Sequence, residues 1–150
     1  MSSLDDLYRR VIMDHYQRPR NRGELADGGL TVNMNNPTCG DRIQLQMKVE
    51  GGKIADARFT GEGCSISMSS ASMMTEAVKG LEVDEALAIS ELFSRMMKGE
   101  ASDEEIEEAD LEDIEALQGV SKFPARIKCA TLAWKAMEKG LREQPKHEEA

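Results

Sequence analysis

The stretch RIQLQMKVEGGKIADARFTGE, residues 42–62, decides the fold. Ile43, Leu45, Met47 and Val49 alternate strictly with Arg42, Gln44, Gln46 and Lys48, the period-two pattern of a strand with one buried face. Gly51-Gly52 marks a tight hairpin turn, and Ile54, Ala57 and Phe59 fall in the returning strand. Upstream, Leu30–Asn33 reads as a third, short strand. Three strands joined by short connections can only form a small antiparallel sheet.

Helical patterns flank that sheet. Leu4, Leu7, Tyr8, Val11, Ile12 and Tyr16 recur at helical spacing, which predicts an amphipathic helix over residues 3–17, ended by Pro19. After Gly61-Glu62-Gly63, Ile66, Met68, Ala71, Met74, Ala77 and Val78 continue at helical spacing up to Gly80. A further helix is expected over 83–97, stopping at Gly99. Residues 100–115 are strongly acidic, with Ile106, Leu111 and Ile114 as apolar anchors, and read as a short helix or ordered loop with a solvated acidic face. Pro124 opens a last helix that runs to Leu141. The expected fold class is α+β: a three-stranded antiparallel sheet with helices packed on one face, in a single domain over 1–150 with residues 143–150 as a frayed tail.

Composition bounds the function. The chain has 150 residues, only 4% aromatics and ten methionines that fill the core in their place. A net charge of -9 argues against nucleic acid, which needs a basic face to displace phosphate counterions. No leader pattern and no apolar run of membrane-spanning length is present, so the cytoplasm is the expected compartment. Three cysteines cannot close a complete disulfide framework, and in a reducing compartment they point to metal binding or thiol chemistry.

Each cysteine sits where chemistry is possible. Cys39-Gly40-Asp41 precedes the alternating strand, and residues two apart in extended chain share a direction, so Cys39 and Asp41 can reach one metal. Asn35-Asn36-Pro37 is turn chemistry that would present this loop at the surface. Cys64 lies where a Gly-rich turn meets a helix start, and the helix dipole and its unpaired N–H groups suit a thiolate. Cys129 falls early in the last helix, with Arg126 three residues before it on the same face, placed to stabilise a thiolate or a bound sulfur anion. Three thiolates and one carboxylate carry a formal charge of about -4, or about -2 with a divalent cation, a sulfur-rich tetrahedral set that suits zinc. The spacing is not a paired CxxC signature, and singly each cysteine could equally be a small buried apolar residue. His15 reads as structural or surface, and no P-loop, GxGxxG or GxSxG motif is present.

Four motifs together resemble the IscU-type proteins of iron–sulfur cluster assembly: VIMDHYQRPRNRG (11–23), NNPTCGD (35–41), GEGCSIS (61–67) and GVSKFPARIKCA (119–130). Two departures point to the SufU branch of that SufE/NifU-like fold. Scaffolds of the IscU kind carry His immediately before the third cysteine, where this chain has Lys128, and its segment between Cys64 and Cys129 is longer. The resemblance implies zinc held by Cys39, Asp41, Cys64 and Cys129, with Cys39 as the catalytic acceptor of persulfide sulfur from a PLP-dependent, SufS-type cysteine desulfurase. It implies that Arg126 helps hold the partner or the sulfur, that a monomer docks on the desulfurase, and that a downstream iron–sulfur scaffold uses the product. Two other readings stay open: a scaffold assembling a [2Fe–2S] cluster on the same ligands, and a purely structural zinc in an activator of the partner.

Overall fold

The computed structural model describes residues 3–25, 29–37 and 40–143. The elements run α1 (Ser3–Gln17), β1 (Leu30–Asn36), β2 (Asp41–Glu50), β3 (Lys53–Glu62), α2 (Ser65–Val78), α3 (Val83–Met97), α4 (Asp103–Ala109), a 3-10 segment (Glu112–Lys122) and α5 (Pro124–Arg142). The sheet is antiparallel in the order β1-β2-β3, the expected α+β architecture.

Alternation puts Ile43, Leu45 and Met47 on the inner face of β2, buried to 2% exposure or less, while Gln44 and Gln46 remain on the outer face. Gly51 and Gly52 both adopt positive φ, 59° and 78°, which the tight turn requires and glycine takes without strain. The pairing shifts after Lys48: Val49 pairs with Ile54 but Lys48 with Asp56, so Ala55 is an extra residue, a β-bulge. That bulge explains why Ile54 and Ala57, three apart, are both fully buried. α2 and α5 cover the inner face with α1 behind α2, and Gly140 lets α5 approach β1 so closely that a Cβ there would meet Leu30 Cδ1 at 2.7 Å. The outer edge of β3 is covered in two places, by Asn21–Gly23 against Phe59 and by Gly80–Glu82 against Lys53–Ile54.

α2 carries four fully buried serines, Ser67, Ser69, Ser70 and Ser72, small enough for α1 and α5 to pack close. Ser70 Oγ donates to the Ala130 carbonyl (2.6 Å) and accepts from Trp134 Nε1 (3.0 Å), tying α2 to α5. Trp134 in turn stacks on Phe93 of α3, with centroids 4.7 Å apart.

Two expectations need correction. β1 extends to Asn36 rather than Asn33, and Asn36 is buried, because pairing with β2 overrides the turn preference of Asn35-Asn36. Tyr16 is 42% exposed and lies off the buried face of α1, whereas Ile12 is 4% exposed. The acidic segment holds the expected short helix, α4, followed by a 3-10 segment, and its anchors Leu111, Ile114, Leu117 and Val120 are all buried. Their strict three-residue spacing is the 3-10 period, and it stands in the sequence. His15 is structural: it is fully buried, with Nδ1 2.7 Å from Ser72 Oγ and Nε2 2.9 Å from Asp113 Oδ2. The tail from Gln144 lies outside the described residues. No helix among those described is long and apolar enough to cross a membrane.

Ser102 caps α4 through a reciprocal capping box with Glu105, and Arg95 Nη2 of α3 reaches Glu105 Oε2 at 2.8 Å. The Arg95 hydrogen bond is the largest reason that Glu105 is lowered from 4.5 to about 2. A carboxylate lowered on folding stabilises the fold fully above its unfolded value and loses that contribution as pH falls through the folded value. Acidification from pH 4.5 toward 2 is therefore expected to loosen α4 from α3, seen as faster amide exchange over 103–109 while α5 stays protected. Equal protection of α4 across that range would contradict it.

Candidate metal centre

Two helices and one strand converge at the end of the sheet. Asp41 opens β2 and is fully buried; Cys64 is the N-cap of α2; Cys129 lies in the second turn of α5 and is fully buried. One carboxylate oxygen of Asp41 and the sulfurs of Cys64 and Cys129 all lie within 4.8 Å of one another. Residues 23, 65 and 88 positions apart in sequence thus become a single donor set, a spacing no local motif reveals.

Local chemistry holds these side chains in place. Asp41 Oδ1 accepts from the Cys64 backbone N–H (2.9 Å), coupling β2 to the start of α2. Cys64 Sγ accepts from Ser67 N–H at 3.4 Å, so the thiol takes the capping role that Ser or Asp usually fills. Gly63 has no room for a side chain: a Cβ there would collide with Asp41 Oδ1 and stand 3.1 Å from Asp41 Cα. The Ser70 bonds to Ala130 and Trp134 fix α5, and with it Cys129, against α2.

The donor set fits a thiophilic divalent ion. Asp41 Oδ2 is buried and has no hydrogen-bond partner among the described residues, while its sister oxygen is engaged. A buried carboxylate oxygen without a partner is costly, and a cation there relieves the cost. Two thiols and a carboxylate are zinc-type donors, and one further ligand completes a tetrahedron. The expected fourth ligand, Cys39, lies outside the described residues. Gly40 adopts φ 72°, a left-handed bend, so Cys39 and Asp41 are not joined by the simple extended segment their spacing suggests.

Arg126 is exposed in the first turn of α5; burial pushes the Tyr8 hydroxyl of α1 up, and the Arg126 charge partly offsets that rise. Two polar residues escaped the sequence reading. Asn36, 8% exposed, pairs directly with Asp41 across the sheet, and Ser67 is fully buried; neither Asn36 Nδ2 nor Ser67 Oγ has a partner among the described residues. Nothing in the sequence around either residue marks it as a buried polar group. A second trio, His15, Glu76 and Asp113, also comes within 4.8 Å. Both nitrogens of His15 are engaged there, by Ser72 and by Asp113, so His15 serves a hydrogen-bond network in that trio.

The fold and site define a class: a small α+β protein that gathers a buried carboxylate, a buried thiol and a half-buried thiol where its sheet meets two helices. The profile described as "NifU-like N terminal domain" matches residues 7–130. Over 143 residues, 95% of each chain, the sequence is 63% identical to a protein of Bacillus subtilis (strain 168) named zinc-dependent sulfurtransferase SufU. It is 47% identical over 142 residues, 95% of this chain and 87% of the other, to the iron–sulfur cluster assembly scaffold protein IscU of Streptococcus pyogenes serotype M1. Among solved structures, a protein of Fervidobacterium islandicum AW-1 described as an iron–sulfur cluster assembly scaffold for the SUF system superposes with a TM-score of 0.82 at 32% identity, covering 93% of this chain and 99% of that one. This chain belongs to the NifU-like N-terminal domain family.

Proposed function

We propose that this protein is a zinc-dependent sulfurtransferase that takes persulfide sulfur from a PLP-dependent cysteine desulfurase of the SufS type and passes it on for iron–sulfur cluster assembly. The observation that carries the reading is the convergence of Asp41, Cys64 and Cys129 within 4.8 Å, with Cys39 two residues before Asp41 in a chain 63% identical to a zinc-dependent sulfurtransferase. Cys39, Asp41, Cys64 and Cys129 would hold the zinc, which would keep the thiols deprotonated and tie the strand to the two helices.

The rest is the work of the chain's own residues. Cys64 caps α2 and Cys129 is buried in α5, so both are anchored by secondary structure. Cys39 follows β1 in the connection to β2, and is the thiolate best able to leave the set and meet a partner. Its sulfur attacks the outer sulfur of the desulfurase persulfide. The new S–S bond forms on Cys39 as the bond to the enzyme's sulfur breaks; the enzyme leaves as thiolate, and any proton on the outer sulfur travels with it. Arg126, exposed at the start of α5, steadies the incoming sulfur anion or the partner. A downstream iron–sulfur scaffold then receives the sulfur, and the transfer takes place in the cytoplasm.

The second reading, a [2Fe–2S] scaffold on the same ligands, is favoured by the relative named as a scaffold at 47% identity. Lys128 weighs against it, because an ammonium offers no lone pair where scaffolds of the IscU kind have an imidazole. The test is to incubate the zinc-loaded protein with desulfurase and cysteine and to map added sulfur by mass spectrometry. One sulfur atom on the Cys39 peptide is the expected result. Bound sulfide with iron and no persulfide on Cys39 would replace transfer with scaffolding.

A further inference from the structure

Phe123 is the most exposed large apolar side chain among the described residues, 53% exposed, and it stands at the N-cap of α5. Both placements run against its chemistry. An aromatic ring in water forgoes its burial, and an N-cap favours Ser, Thr, Asp or Asn, whose oxygen can bond the first free N–H groups. Here the cap makes no side-chain hydrogen bond. The backbone fixes the residue all the same. Phe123 N–H donates to the Val120 carbonyl (2.9 Å), the Phe123 carbonyl accepts from Arg126 N–H (2.8 Å), and Pro124 opens the helix. The ring is thus presented on a hydrogen-bonded corner. Around it the charge changes sign. Residues 100–115 carry acids and no base, whereas Lys122, Arg126 and Lys128 are all exposed in a stretch, 122–128, that has no acid.

We infer that Phe123 is the apolar anchor on which the sulfur-donating desulfurase docks, with Lys122 and Arg126 at its charged rim. The inference deepens the transfer reading above and rests on it. Cys129, a member of the donor set, lies six residues further along the chain, about 9 Å of helix at roughly 1.5 Å per residue. A partner that brings a persulfide to that set must cover this end of the molecule. A standard interface of roughly 800 Å² per side reaches about 16 Å from its centre, so Phe123 falls inside its footprint. Interfaces take most of their affinity from a few aromatic and arginine anchors, which is what an exposed Phe in a basic stretch offers. The chemistry defines the complement on the desulfurase: an apolar socket for one ring, bordered by carboxylates. The acidic residues of 100–115 repel those same carboxylates, so the field turns the partner toward the start of α5.

The test is turnover of the PLP-dependent desulfurase with cysteine, titrated with zinc-loaded wild-type or variant protein. Phe123→Ala is expected to raise the half-saturating concentration about 30-fold, the threshold loss for an interface anchor, with maximal turnover unchanged. Because more than half of the side chain is exposed, the variant should keep its zinc and melt within a few degrees of the wild type. Phe123→Ser, which offers the helix a capping hydroxyl, should lose affinity equally while melting at or above Phe123→Ala. Phe123→Leu, which keeps an apolar side chain, should recover most of the affinity. Lys122→Ala should weaken docking in low salt only, because an exposed charge is screened as salt rises, whereas the Phe123→Ala loss should persist. An unchanged half-saturating concentration in Phe123→Ala would overturn the anchor while leaving sulfur transfer standing, and so would a fall in maximal turnover or zinc content in its place. A wild type that never stimulates the desulfurase would overturn the transfer reading and the anchor with it.

Discussion

Cys39→Ala protein is expected to retain zinc, to melt within a few degrees of the wild-type protein, and to accept no persulfide sulfur. The three other donors explain the retained metal. Asp41, Cys64 and Cys129 are brought within 4.8 Å by the ends of β2, α2 and α5, and three protein ligands plus water suffice to hold zinc. The packing that brings them together, Ser70 with Ala130 and Trp134, and Asp41 with the Cys64 N–H, does not involve Cys39. Affinity should fall, because a thiolate is exchanged for water, but folding should not. Loss of transfer should be complete, since Cys64 is held as the cap of α2 and Cys129 is buried within α5. The variant is checked by zinc content, thermal melting, and desulfurase turnover with cysteine. Wild-type stimulation of the desulfurase would sink the assignment of Cys39 as acceptor and favour an activator with a structural zinc.

Asp41→Ala should separate the folding and metal roles of one side chain. In the metal-free protein two costs oppose each other. Removing the carboxylate leaves the Cys64 N–H unpaired, about 1–3 kcal/mol, but also removes a fully buried carboxylate whose Oδ2 lacks a partner among the described residues. The two nearly cancel, so the metal-free melting temperature should move little. With zinc, the variant should keep part of the metal through its thiolates and lose transfer, and the stabilisation gained on adding zinc should shrink markedly. Melting curves with and without zinc, run beside the transfer assay, measure both effects. Full transfer in Asp41→Ala, or a metal-free protein that no longer folds, would show that Asp41 serves the fold rather than the chemistry.

How far the sequence reaches depends on whether a property is local. The hairpin was fully legible, because alternation from Arg42 to Val49 and the Gly51-Gly52 turn are nearest-neighbour signals. The bulge at Ala55 was visible only as an irregularity, Ile54 and Ala57 standing three apart. The length of β1 was not legible, since Asn35 and Asn36 are poor strand formers and are held in the sheet by pairing with Arg42 and Asp41. The 3-10 segment could have been read from the period of Leu111, Ile114, Leu117 and Val120, but acidic residues between them masked it. At the site, residue type and context marked the cysteines and Asp41 as candidates, while their convergence required three elements to meet. Ser67 and Asn36 were invisible because a buried polar side chain without a partner is a property of the packed structure alone.

The most direct test of the metal centre is the zinc, iron and acid-labile sulfide content of protein purified without oxygen or chelator. About one zinc per chain, no sulfide, and markedly weaker zinc binding in Cys64→Ala is the result this structure predicts. Iron with matching sulfide would contradict it and make the protein a cluster scaffold, and a protein without metal would leave Asp41, Cys64 and Cys129 as a cluster that serves no ion.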